Sequence, residues 1–198
     1  MPGKANALGD SPTGYGWPSI ALHWITATVI IVLLFVGSSI AMDGRMVHWH
    51  TTIAACAYPV LWARVIWRLR QGHPGPLPGQ GGFFYGVGKL VHYVLLAALS
   101  VMLMSGPLLA WASGRAIEIF ELAIPSPFGP SLSLTAFLLQ VHGATAAVIV
   151  TCIALHVLGV FKHIAFNRDG TFDKMMRPAK QPLVTTSAAP ESASGRIG

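Results

Sequence analysis

Charged residues are scarce in this chain of 198 residues: Asp, Glu, Lys and Arg together make up 10% of it, whereas hydrophobic residues make up 53%. A soluble domain normally has about a quarter of its residues charged, so this composition cannot supply a surface that faces water. The scarcity excludes an ordinary soluble globular protein and predicts an integral membrane protein. The net charge of +6 then indicates basic residues facing the cytoplasm, and we predict no nucleic-acid partner.

Cysteine is almost absent as well. Cys56 and Cys152 both lie within apolar runs, which excludes a disulfide framework, and their spacing is not that of a metal site. The Cys-x-x-Cys-His pattern of covalent haem attachment does not occur, so any haem must be held by coordination alone. Eight histidines are unusually many for so apolar a chain.

Four apolar runs are long enough to cross the hydrocarbon core of a membrane, which takes roughly 20 helical residues. They cover residues 19–42, 50–67, 90–112 and 136–161. Because a segment in lipid must satisfy its own backbone hydrogen bonds, each run is predicted to be a helix. The predicted fold is an all-α integral membrane four-helix bundle over 19–178, with a cytoplasmic leader over 1–18 and a disordered cytoplasmic tail over 179–198.

Basic residues are divided unevenly between the connections. The N-terminus, the second connection and the tail hold ten of them, whereas the first and third connections hold only Arg45 and Arg115. This asymmetry predicts that both termini lie in the cytoplasm. The third connection contains the stretch IEIFELAI, for which we predict a short amphipathic helix at the membrane interface.

The fourth run carries the most informative histidines. His142 and His156 are fourteen residues apart, close to four helical turns, so both lie on one face and about 21 Å apart along the axis. That separation predicts two sites stacked across the membrane and excludes a single chelate formed by this pair.

Topology assigns a depth to each remaining histidine within a run. His50 begins the second run on the outer side and pairs with His142, while His23 begins the first run on the inner side and pairs with His156. Two imidazoles on opposite faces of a haem iron give a six-coordinate centre suited to electron transfer. His92 also lies at the inner depth, so it competes there for an axial position, or it bonds a propionate or a quinone oxygen.

The fourteen-residue step also places other residues opposite these histidines. It reaches Gly37 from His23, Gly106 from His92 and Arg64 from His50. Glycine allows a cofactor to approach the backbone closely, although small residues are also common at plain contacts between membrane helices. A buried Arg64 needs an anion, which a haem propionate can supply; the alternative is a side chain that reaches the inner boundary of the membrane.

Several segments together resemble the bacterial cytochrome b561 family over residues 15–177. They are ALHWITA in the first run, HTTIAACAYPVLWARVIWRLR in the second, HYVLLAALSVMLMSGPLL in the third, and VHGATAAVIVTCIALHVLGVFKHIAF followed by NRDGTFDKMM in the fourth. Members of this family are similar to the membrane cytochrome b subunits of hydrogenases and formate dehydrogenases.

The resemblance implies two haems b in the bacterial cell inner membrane, with axial histidines on the first, second and fourth helices. Carried over to this chain, the ligands of the haem iron are His23, His50, His142 and His156. His92 is then non-axial, and it remains, with Arg64, a candidate for binding a propionate or a quinone. The family's usual activity implies electron exchange with ubiquinone, and some members are reported to oxidise superoxide at the outer face.

Two other classes of function compete with a stand-alone cytochrome. The first is a haem-bearing membrane anchor subunit of a peripheral dehydrogenase or hydrogenase, which would purify with a tightly bound partner. The second is a transporter or structural membrane protein whose histidines relay protons, which would be colourless. Transporters typically show inverted repeats and broken helices, and neither is evident here. The sequence identifies neither the electron donor and acceptor nor the oligomeric state.

Overall fold

A computed structural model of the chain describes residues 9–11, 14–72, 75, 82–167, 170 and 172–178. The predicted disordered tail over 179–198, part of the predicted leader and part of the second connection lie outside these residues.

The described part of the chain is mostly helical. Its long helices are α1 (Trp17–Ser39), α2 (Met46–Gln71), α3 (Gly82–Ala112) and α4 (Leu132–Lys162). A π-helical turn, His163–Asn167, continues α4, and a short 3-10 helix covers Asp173–Met175. Each long helix contains most of one predicted run. Helices α2 and α4 extend beyond their runs at both ends, and α3 extends beyond its run at the first end. Polar and aromatic flanking residues can continue a helix past the hydrocarbon.

Three of these helices are long and apolar enough to cross a membrane: α1, α3 and the continuous segment Leu132–Phe166 that includes α4. The fourth, α2, is less apolar, since Arg64, Arg68 and Arg70 lie in its second half. The outward faces of the apolar helices expose large side chains such as Phe35 and Phe137, which are 73% and 61% exposed. Such exposed apolar surface is unfavourable in water and is favourable in contact with lipid.

The helices pack in sequence: α1 contacts α2, α2 contacts α3, and α3 contacts α4. The core between the middle helices consists of Leu61 and Val65 from α2 and Leu99 and Leu103 from α3. Each pair is spaced by four residues, which places its members on one face of the helix. Packing between α2 and α3 is therefore concentrated at these four residues, and side chains nearer to either end of the helices remain available to form sites.

The third connection is a β-hairpin, so the amphipathic helix predicted there is wrong. Strands β1 (Ile117–Ile119) and β2 (Leu122–Ile124) pair antiparallel, and Phe120 adopts a positive φ of 54° in the turn. Alternating isoleucines favour a strand over a helix. Thr52 of α2 donates a hydrogen bond to the carbonyl of Glu118 (3.3 Å), so contact with α2 supports the extended form.

The opposite end of the bundle gathers residues near both termini. The indole N–H of Trp67 donates to Ser19 Oγ (2.7 Å), and that of Trp24 donates to the Met175 carbonyl (2.9 Å). The start of α1, the end of α2 and the segment after α4 therefore meet there. We refer to this as the termini end, and to the end that carries β1 and β2 as the hairpin end.

Candidate functional site

Two histidines from different helices face each other at the hairpin end. The ring centroids of His50 on α2 and His142 on α4 are 6.2 Å apart, with the planes at 78°. Gly37 of α1 lies against His50: a Cβ there would be 3.3 Å from the ring. Gly106 of α3 lies against His142, where a Cβ would be 3.7 Å from Cε1. We call these four residues, with Ser105, the hairpin-end site.

Ser105 fixes the orientation of one of these rings. Its hydroxyl donates to the Met102 carbonyl (3.5 Å), and Ser105 Oγ lies 3.1 Å from His142 Nδ1. Because Ser105 engages Nδ1 of His142, Nε2 is the ring nitrogen that remains available to another partner. Such a partner on the far nitrogen is typical of a histidine that binds a metal through the other one.

A second histidine pair lies at the termini end. The ring centroids of His23 on α1 and His156 on α4 are also 6.2 Å apart, with the planes at 64°. His92 of α3 lies closer to His156, at 4.8 Å between centroids. Its Nδ1–H donates to the Gly88 carbonyl (2.7 Å), which leaves Nε2 as an acceptor. We call His23, His92, His156 and Arg64 the termini-end site.

Charge distinguishes this second site. Arg64 is only 8% exposed, and its Nη1 is buried without a hydrogen-bond partner in the described part of the chain. One turn further along α2, Arg68 is paired with Asp10 at 3.0 Å. The ring of Tyr15 lies 4.9 Å from the Arg68 guanidinium carbon, and burial raises the pKa of this phenol.

The surface of the hairpin end carries partnered charges. Arg45 contacts Asp43 at 3.0 Å, and the hydrogen bonds from Arg45 lower the pKa of the Asp43 carboxyl. His48 Nδ1 lies 3.0 Å from the Glu118 carboxylate. These pairs leave little unopposed positive charge on the described loops of this end.

The geometry of both histidine pairs fits a metal held between two rings. When each imidazole binds one metal through a nitrogen at about 2 Å, the ring centroids lie roughly 6 Å apart, as in both pairs here. The described residues contain no group of three or more His, Cys, Asp or Glu side chains that could hold a metal ion. A metal at either pair would therefore take further ligands from outside these described groups, and the macrocycle of a haem would supply them.

The structure brings together the residues that the sequence pairs: His50 with His142, and His23 with His156. Gly37 and Gly106 lie against the histidines of the hairpin-end site, as the fourteen-residue step predicts. The role of each residue as a ligand stays a prediction. The sequence analysis missed Ser105 and Asp10, and a serine within an apolar run is the only signal that could have identified the former.

Most of the chain matches one known protein family. Residues 14–178 match the model of a family described as prokaryotic cytochrome b561. The chain is also similar to cytochrome b561 homolog 2 of Escherichia coli strain K12. The two are 25% identical over 175 residues, which cover 84% of this chain and 93% of that protein.

Proposed function

This chain belongs to the prokaryotic cytochrome b561 family, which makes it a multi-pass membrane cytochrome that binds haem b and transfers electrons; on that premise we propose that it holds two haems b and carries electrons across the bacterial inner membrane. His50 and His142 bind the iron of one haem, and His23 and His156 bind the iron of the other. A bound haem b supplies one-electron redox chemistry at its iron.

The observation that carries this proposal is the repeated pair geometry. Both pairs have a centroid separation of 6.2 Å, and each joins α4 to a different helix. Because His142 and His156 are fourteen residues apart on one continuous helix, the sites lie about 21 Å apart along its axis. Two sites at that spacing divide the thickness of a membrane into short electron-transfer steps.

The ring of His92 supports a non-axial role for this residue. Its centroid lies 4.8 Å from that of His156, shorter than the roughly 6 Å expected for two imidazoles that bind one iron from opposite faces at about 2 Å. His23 lies at the distance that such a metal requires. We therefore assign His23 as the partner of His156 and keep His92, with Arg64, as a contact for a propionate or a quinone.

The proposed topology has four spans and places the termini end in the cytoplasm. With 26 residues, α2 is about 39 Å long, and its contacts with α1 and α3 place it inside the bundle. Two of its arginines, Arg64 and Arg68, are buried and do not face lipid. The basic residues near the termini favour the cytoplasmic side.

Ubiquinone is the proposed partner in electron exchange, because the family's usual activity implies it. The other partner, a donor or acceptor at the hairpin end, is unidentified. Superoxide is a weaker candidate for that donor, since Arg45 and His48 are each already paired with a carboxylate and offer an anion little attraction.

The test is a spectrum of the dithionite-reduced minus the oxidised purified protein, with pyridine haemochrome quantification. We expect two haems b per chain, one in His142→Ala, one in His156→Ala, and two in His92→Ala, which is the matched control at the termini end. Reduction by a quinol in proteoliposomes then tests the exchange with ubiquinone.

Three outcomes would contradict parts of this proposal. A protein without a b-type signal would refute the cytochrome function and favour proton relay through the histidines. Loss of haem in His92→Ala with retention in His23→Ala would move the axial ligand to α3. Purification only with a tightly bound dehydrogenase or hydrogenase would favour the anchor subunit.

A further inference from the structure

Two buried arginines lie one turn apart on α2 and have different partners. Arg64 is 8% exposed and Arg68 is 6% exposed, and their spacing of four residues places them on the same face of the helix. A buried cation needs an opposite charge, because burial removes the water that would otherwise stabilise it. The question is which arginine the chain itself neutralises.

The segment before α1 neutralises Arg68. Asp10 Oδ2 accepts a hydrogen bond from Arg68 Nη1 at 3.0 Å, and the two side chains are 4% and 6% exposed. The other carboxylate oxygen, Oδ1, accepts the backbone N–H of Gly16 (2.9 Å). Because the turn into α1 holds Asp10 and the ring of Tyr15 covers the guanidinium, this carboxylate is committed to Arg68.

Arg64 receives no such partner. Its Nη1 is buried without a hydrogen bond to the described residues, one helical turn from Arg68. Three residues further along α2, Trp67 donates to Ser19 Oγ (2.7 Å), and Ser19 lies one turn before His23 on α1, so Arg64 lies at the termini end. The two arginines and one aspartate therefore leave one positive charge there that no described residue compensates.

We propose that the buried Asp10–Arg68 pair reserves Arg64 as the one buried cation at the termini end that no described residue compensates, so that Arg64 binds one carboxylate of the haem held there and Asp10 sets the reduction potential of that haem. This inference rests on the proposed function, in that it requires a haem at His23 and His156. Asp10 is a positioning residue: it acts through Arg68 and does not itself contact the haem.

The sign of the effect follows from charge. Reduction adds one electron to the haem, so nearby positive charge favours the reduced form and nearby negative charge favours the oxidised form. In Asp10→Asn, Arg68 loses its counter-charge and the potential of the termini-end haem rises. In Arg64→Gln, a carboxylate of the haem loses its cation and the potential falls.

The experiment is a spectroelectrochemical titration of the purified, haem-loaded full chain in lipid nanodiscs, which resolves the two haems. We expect Asp10→Asn to raise the reduction equilibrium constant of one haem at least tenfold, which is 59 mV for one electron, and to leave the other unchanged. The haem that responds is identified in the His142→Ala background, where it is the one that remains. Asp43→Asn is the matched control, since Asp43 also pairs with an arginine at 3.0 Å but at the exposed surface of the hairpin end.

A double variant separates charge from structure. Asp10→Asn with Arg68→Gln restores the net charge, so both potentials should return to within about threefold of the wild-type equilibrium constants, a shift below half of the tenfold step. If Asp10→Asn alone fails to insert, Arg68→Gln takes its place: a reduction equilibrium constant of the termini-end haem at least tenfold lower supports the proposal, and an unchanged one overturns it.

The remaining outcomes distinguish the two proposals. If Asp10→Asn holds two haems with unchanged reduction potentials, this inference is overturned and the di-haem proposal stays intact. A wild type with no haem at the termini end would refute both. The titration of Arg64→Gln is run in zwitterionic and in anionic lipid. An effect that is equal in both supports a haem carboxylate, and one confined to anionic lipid assigns Arg64 to a lipid phosphate and overturns the proposal.

Discussion

At the hairpin end, His50 and His142 are surrounded by Gly37, Gly106 and Ser105, whereas at the termini end His23 and His156 share their surroundings with His92 and the charge of Arg64. The distance between the paired rings is the same in both places, 6.2 Å. The two histidine pairs thus share one geometry, while their neighbours differ.

From this difference we expect haem binding and haem reduction potential to depend on different residues. Space made by glycines and one hydroxyl that orients a ring define the hairpin-end site. Charge defines the termini-end site, through the balance of two arginines and one aspartate. Variants should therefore affect one end without the other, and the expected effects can be ordered by size.

The largest effect is expected from closing the space beside His50. In Gly37→Val, a Cβ 3.3 Å from the ring and two further methyl groups displace the histidine, so the hairpin-end haem should be lost while the termini-end haem remains. Pyridine haemochrome quantification should fall from two haems to one per chain. Gly143→Val is the control, because a Cβ at Gly143 meets nothing within 4 Å; two haems in both variants would contradict the role of Gly37.

The second effect concerns the unfolding temperature, which one substitution at the termini end should shift in opposite directions with and without haem. Arg64→Met removes a buried charge without a partner, so the haem-free protein should unfold at a higher temperature, with a gain on the order of a few kcal/mol. The haem-loaded protein should instead lose stability, since a carboxylate of the haem loses its cation. Thermal unfolding of both forms measures this, with the exposed Arg70→Met as control. Equal shifts of the same sign in both forms would show that Arg64 has no anionic ligand.

A smaller effect is expected from the hydroxyl that orients His142. Ser105→Ala removes the hydrogen bond to Nδ1, and loss of such a partner typically weakens metal binding 10–100-fold. Haem release from the hairpin-end site to an apohaemoglobin-type acceptor should accelerate accordingly, while release from the other site stays constant. Ser100→Ala tests specificity, because Ser100 donates only to the Leu96 carbonyl of its own helix (2.9 Å). Equal rates in the two variants would show that Ser105 is not needed.

The smallest effect concerns the exposed pair Asp43–Arg45. The Asp43 pKa is lowered from 3.8 by Arg45, so the ionised carboxylate stabilises the folded protein at neutral pH and this contribution is lost as the pH falls through the lowered pKa. The unfolding temperatures of the wild type and Asp43→Asn should differ slightly above pH 4 and converge below it. A difference that grows as the pH falls would contradict this assignment.

Much of the site could be predicted because helical periodicity is rigid. The fourteen-residue step between His142 and His156 fixes their common face and their separation, and the alternation of the helices fixes which histidine lies at which depth. The third connection was predicted wrongly as a helix, because a short apolar stretch is ambiguous between helix and strand. There, contact of β1 with α2 accompanies the extended form.

The sequence by itself determined the membrane class, the helical runs and the pairing of the histidines, since composition and periodicity act locally along the chain. Only the tertiary structure shows that the ring of His92 lies closer to the ring of His156 than that of His23 does, at 4.8 Å against 6.2 Å between centroids. It also decided that Asp10 pairs with Arg68 and that Nη1 of Arg64 has no hydrogen-bond partner among the described residues. These outcomes depend on distances between side chains far apart in sequence, and no spacing within a single helix contains that information.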